Sequence, residues 1–133
     1  MADHQSFESL REYVDALDDR GELQRIDGAD WEIEIGAITE TVAHSDTPRA
    51  LLFDDIEDYP SGFRVATNLF ITEQLQALGL GIDPGGRPVE LVERWRDKWD
   101  DLEPTDPTEV DDGPIRENVL TGNDIDVTRF PAP

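Results

Sequence analysis

Apolar residues recur at helical spacing in four stretches of the chain and at strand-like spacing in three shorter ones. Phe7, Leu10, Val14 and Leu17 follow one another at intervals of three, four and three, with Ser6 in front as a predicted N-cap. Arg11, Glu12, Asp15, Asp18 and Asp19 fall largely on the other face, and Arg20-Gly21 supplies the expected ending. Residues 22–26, with Leu23 near Ile26, read as a short extended segment. Asp30 is the predicted cap of a second helix whose buried stripe is Trp31, Ile35, Ile38 and Val42. Ile33 lies off that stripe, so an alternating strand over 31–35 is the competing reading; length favours the helix.

Ala50-Leu51-Leu52-Phe53, between Pro48 and the Asp54-Asp55 turn, predicts a short buried strand, and residues 63–70 alternate as a further one. Thr72 is expected to cap a short helix carrying Leu75 and Leu78 and ending at Gly79. The Pro84-Gly85-Gly86 loop then leads to Pro88 in the first turn of another helix. Leu91, Trp95 and Leu102 mark one face of it, joined by Val92 and Trp99. These elements predict an α/β (α+β) fold, a small sheet of short strands flanked by about four helices, over residues 1–103. Residues 104–133 differ: Pro104, Pro107, Pro114, Pro131 and Pro133 punctuate them, and Ile115, Val119, Leu120, Ile125, Val127 and Phe130 fit neither period. Such a segment cannot bury itself and reads as a connector that docks elsewhere. Its ending at Phe130-Pro131-Ala132-Pro133, without a closing element, suggests a cut.

Composition alters this picture through charge. The 133 residues carry 32 acids against 11 bases, a formal net of -21, and a single lysine, Lys98. Disorder is argued against by the apolar periodicity. A dedicated partner role would concentrate acids on one face or tail, whereas here they run through every helix and loop. Adaptation to molar salt, where self-repulsion is screened within a few ångströms, is the favoured reading. Nucleic-acid binding is excluded by the lack of clustered Lys and Arg. No apolar run is long enough to span a membrane, and Met1-Ala2-Asp3-His4-Gln5 carries no secretory signal, so the cytoplasm is the expected compartment. With no cysteine, disulfides, thiolate nucleophiles and Cys metal sites fall away.

Motifs for chemistry are sparse. Gly79-Leu80-Gly81 has Pro84 where a dinucleotide loop needs its third glycine, and it follows a helix instead of a strand. Fitting Gly113 to the sixth position of a calcium loop puts Thr108 first, Val110 third and Val119 twelfth, which fails. Asp124 and Asp126 pair two carboxylates without a third ligand and read as a solvated loop. His44, just past the second helix, reads as a cap for its last carbonyls, and His4 sits in the terminal stretch. Trp31, Trp95 and Trp99 read as core or packing-edge residues. No residue is assigned a catalytic, cofactor-binding or metal-binding role.

Five stretches in order carry a resemblance. They are Leu10-Arg11-Glu12-Tyr13 leading to Arg20-Gly21-Glu22-Leu23-Gln24-Arg25-Ile26; the acidic-aliphatic run from Trp31 to Ile38; Pro48-Arg49-Ala50-Leu51-Leu52-Phe53; Asn68-Leu69-Phe70 with the helix behind it; and the connector from Gly113-Pro114 to Phe130-Pro131-Ala132-Pro133. Together they resemble the N-terminal domain of the UbiD family, with one departure: Ile71-Thr72 stands where that family often has Gly and a small hydroxylated residue.

The resemblance implies a reversible, non-oxidative decarboxylase of aromatic or α,β-unsaturated acids. It implies prenylated FMN with a divalent metal and a monovalent cation, all held by a flavin-binding domain beyond the Phe-Pro-x-Pro stretch. The implied partners are that domain and a small carboxylic acid substrate, with a homo-oligomer of the full chain as a further expectation. This segment is expected to bind no cofactor itself. The alternative is a stand-alone acidic interaction module without catalysis.

Overall fold

The computed structural model describes residues 6–131. Helix α1 (Leu10–Asp19) begins three residues later than the pattern predicts. Ser9, not Ser6, caps it, its hydroxyl accepting from the Glu12 amide at 3.3 Å. The shift turns Leu10 outward, 61% exposed, and brings Tyr13 into the buried face with Val14 and Leu17. Past Arg20, Gly21 adopts φ +71, and the amides of Gly21 and Glu22 return to the carbonyls of Asp18 and Leu17. That left-handed turn closes the helix and releases the chain into β1 (Leu23–Asp27), as expected from Arg20-Gly21.

Strand β1 pairs in parallel with β2 (Ala50–Asp54), from Leu23 opposite Ala50 to Asp27 opposite Asp54. Between them runs α2 (Glu34–Ala43). Asp30 does organise its start, one turn early: its carboxylate accepts from the Glu32 amide at 2.6 Å and its carbonyl from the amides of Glu34 and Ile35. Residues 31–33 are thus a turn, and the competing strand does not form; Ile33 is left 69% exposed.

Strand β3 (Val65–Thr67) joins the other side of β2 antiparallel, giving the order β1-β2-β3. It is shorter than the expected 63–70. Asn68 takes φ +56 and donates its side-chain amide to the Thr39 carbonyl of α2 at 3.0 Å, which ends the ladder.

Alternation along β2 builds two cores. Ala50 and Leu52 face Tyr13, Val14, Leu17, Leu23 and Leu75. Leu51 and Phe53 face Ala29, Ile35 and Ile56. The central strand is therefore buried on both sides, with α1 and α3 covering one face and α2 the other.

Thr72 caps α3 (Glu73–Leu80), accepting from the Leu75 amide at 3.2 Å. The helix runs two residues past the expected stop. Gly79 stays helical because only a glycine fits beneath Phe70: a Cβ there would lie 2.5 Å from the ring. Gly81, at φ +60, ends it.

Helix α4 (Pro88–Asp100) starts on its proline and packs on α3 through Leu91, with Ala77 and Ile82 as partners. Lys98 donates to the carbonyls of Leu80 and Gly81 at 2.6 and 3.1 Å, placing the lone ammonium at the negative end of α3. Beyond α4 the described residues form three short 3-10 turns, at 114–116, 122–124 and 127–129.

Candidate functional site

The side chains with the greatest chemical potential hold structural positions. His44 Nδ1 lies 3.1 Å from the Glu40 carbonyl and 3.5 Å from its carboxylate, on the surface at the end of α2, in the capping place expected of it. Asp126 accepts from the Thr128 hydroxyl at 2.6 Å and the Thr128 amide at 3.0 Å, and these bonds hold its carboxyl below the usual range. It thus serves a turn, consistent with the solvated-loop reading of Asp124 and Asp126. The Arg87 guanidinium likewise holds Glu90 low, as part of the α4 cap.

Among the described residues no three His, Cys, Asp or Glu come together as a metal site, and apart from the Tyr13 phenol no polar or charged side chain is buried. Trp31 and Trp95 are half-buried at the edges of the cores, as expected, whereas Trp99 is 63% exposed. His4 lies outside the described residues.

Two features remain that could serve a function. One is the outer face of α4 with the residue just past its end, where Val92, Trp99 and Leu102 are 60, 63 and 52% exposed. The expected stripe is real, but this chain covers only its Leu91 and Trp95 end. The other is the connector. Ile115 and Val119 are 92 and 67% exposed, in agreement with a segment that buries little of itself. Its far end does return to the domain, which the apolar pattern does not foretell: the Tyr59 hydroxyl donates to the Thr128 carbonyl at 2.9 Å.

Sequence reasoning also overlooked Tyr13. Its hydroxyl donates to the carbonyls of Leu69 and Leu75 at 2.8 and 2.9 Å, tying α1 to α3 and to the segment before it. Burial pushes this phenol up to about 12. The available signal was Tyr13 standing beside Val14 and one turn before Leu17, had the helix start been placed at Ser9.

The family model of the 3-octaprenyl-4-hydroxybenzoate carboxy-lyase (UbiD) N-terminal domain matches residues 14–95. The chain belongs to this family. The expected UbiD membership is thereby established, and the match runs from α1 to the exposed face of α4, taking in residues 20–26 of the first stretch and all of the next three. The chain is 33% identical over 132 residues to pyrrole-2-carboxylic acid decarboxylase of Pseudomonas aeruginosa, covering 93% of itself and 26% of that protein. To phenolic acid decarboxylase of a Streptomyces species it is 31% identical, covering 92% of itself and again 26% of the relative.

Among solved structures, vanillic acid decarboxylase of Sedimentibacter hydroxybenzoicus in open form superposes with a TM-score of 0.72. The identity is 27%, over 90% of this chain and 26% of that one. This UbiD N-terminal domain thus spans about a quarter of the length of the decarboxylases it matches.

Proposed function

We propose that this chain is the scaffold domain of a non-oxidative carboxy-lyase acting on aromatic or α,β-unsaturated carboxylic acids. Residues 1–103 form the domain, and 104–133 lead to a flavin-binding domain that carries the chemistry. The observation that carries the reading is the family match together with the uncovered α4 stripe: Val92, Trp99 and Leu102 form an apolar face that water does not favour. The names of the relatives, which specify pyrrole, phenolic and vanillic acids, favour an aromatic acid as the substrate.

The described residues do not fit prenylated FMN or its cations. They offer no cluster of ligating side chains and no unpartnered buried side-chain nitrogen or oxygen to cradle a phosphate. The flavin is then held by the flavin-binding domain. No described helix is long and apolar enough to cross a membrane. A cytoplasmic home at high salt, with a homo-oligomer of the whole enzyme, completes the proposal and accommodates the net charge of -21.

Intact mass of the protein from its source cell tests the reading. A mass several times 15.0 kDa, with aromatic acid decarboxylation in the same fraction, is the expected result. A mass of 15.0 kDa with no decarboxylase co-purifying overturns it in favour of a stand-alone acidic module. Hydrogen exchange adds a second check. Amides 110–125 should exchange freely in the isolated chain, and strong protection there would count against a segment that awaits a partner domain.

A further inference from the structure

Tyr59 stands on the turn after β2, just past two residues built for a tight path. Asp55 and Asp58 both take left-handed backbone, at φ +48 and +65, and the Tyr59 amide closes onto the Ile56 carbonyl at 3.2 Å. This turn presents the phenol to the far end of the connector. Its hydroxyl donates to the Thr128 carbonyl at 2.9 Å and lies 3.3 Å from the Phe130 carbonyl. A ladder of rings runs through the same point. Trp31 meets Tyr59 edge-on at 6.0 Å, Tyr59 meets Phe63 at 6.0 Å, and Phe63 meets Phe130 at 6.1 Å. Trp31 is itself packed on the Ile35–Phe53 core, so the ladder joins that core to the connector.

The connector arrives preformed. Asp126 fixes the turn through both the amide and the hydroxyl of Thr128, and the Phe130 amide closes onto the Val127 carbonyl at 3.3 Å. Pro131, next in line, is buried, while the described connector residues before it are nearly all exposed.

We propose that Tyr59 and Phe63 form a clasp that holds the 126–130 turn, fixes where the chain leaves the domain, and closes residues 104–125 into a loop with both ends anchored. The physical reason is the pairing of a directed bond with ring contact. The phenol selects the backbone of Thr128, and Phe63 selects a ring at position 130, so a shifted register would lose both. The clasp consists of contacts within this chain and does not depend on the decarboxylase reading. One consequence does rest on that reading: Tyr59 and Phe63 then become positioning residues for the flavin-binding domain.

Limited trypsin digestion of the chain in molar KCl, timed by mass spectrometry, tests the clasp. Arg116 and Arg129 are both exposed connector residues, but only Arg129 sits inside the clasp. The free peptide 110–133 gives the intrinsic rate at each bond. Cleavage after Arg116 should match the peptide, and cleavage after Arg129 should be slowed about tenfold, the worth of one well-made hydrogen bond with its ring contact. Tyr59→Phe and Phe63→Ala should each restore most of the peptide rate at Arg129 and leave Arg116 unchanged. Phe130→Ala, whose ring lies outside both cores, should do the same, and it decides the matter where a core-side variant fails to fold. Wild-type cleavage after Arg129 at the peptide rate overturns the clasp, as does protection that survives in Tyr59→Phe and Phe130→Ala alike. Neither result bears on whether the chain belongs to a decarboxylase.

Discussion

Replacing Tyr13 by phenylalanine removes one oxygen from the best-connected side chain in the core. The ring would stay between Phe7, at 5.2 Å edge-on, and Phe70, stacked at 5.3 Å, so little packing is lost. What goes is a buried donor serving the Leu69 and Leu75 carbonyls at 2.8 and 2.9 Å. A net hydrogen bond in such a place is worth about 1–2 kcal/mol, which lowers Tm by roughly 5 °C for a domain of this size.

The pH dependence gives a sharper signature. The phenol is pushed up to about 12 from its ordinary 10.0, so the folded state keeps a proton that the unfolded chain gives up above pH 10. Stability from this group is therefore complete below pH 10 and is lost as pH rises towards 12, by roughly 2–3 kcal/mol over the window. Tyr13→Phe has no such loss. In urea unfolding at fixed molar KCl, wild type should exceed the variant at pH 8, fall level with it near pH 11 and lie below it by pH 12. A gap that stays constant from pH 8 to 11.5, or a variant within about 0.5 kcal/mol of wild type at pH 8, refutes the account.

Two further perturbations follow from burial and charge. Phe53→Ala empties a fully buried position at the centre of β2 and should cost about 3–5 kcal/mol in urea unfolding, whereas Ile115→Ala, at 92% exposed, should stay within about 0.5 kcal/mol. Lowering KCl from about 3 M to 0.05 M lengthens the screening distance from a few ångströms to more than ~10 Å, and helical ellipticity should fall with it; an unchanged spectrum would remove salt adaptation from the proposal.

How far the fold can be read in advance depends on which residues end each element. β1, β2 and the burial of Leu51 and Phe53 follow from composition and bounding turns. The starts of α1 and α2 do not, because Ser6 and Ser9 are equivalent to a pattern and only packing chooses between them. The short β3 depends on an Asn68 backbone that no apolar spacing encodes. Gly79 and Gly81 both look like helix stops, and the decision rests with Phe70, nine and eleven residues upstream, whose ring needs the first of them bare. The clasp was equally hidden. Tyr59 and Thr128 are 69 residues apart, and a hydroxyl-to-carbonyl bond leaves no periodicity behind.

Charge and fold separate cleanly in this molecule. No charged side chain is buried among the described residues, so the cores are held by apolar contact and the carboxylates act on solvent. Ion pairs of the described residues lie at the surface, such as Arg25 with Asp18 at 2.7 Å with both side chains 44% exposed, and such pairs contribute little. Self-repulsion therefore has little internal counterweight among the described residues, and under the proposed function screening by the medium supplies one. The same separation points to the working surface. Once the three core clusters have taken their residues, the large apolar side chains left on regular structure are concentrated on α4, with Trp99 the bulkiest. An acidic exterior has no solubility reason to keep a tryptophan at 63% exposure. Under the proposed function it has a packing reason: the flavin-binding domain covers that face.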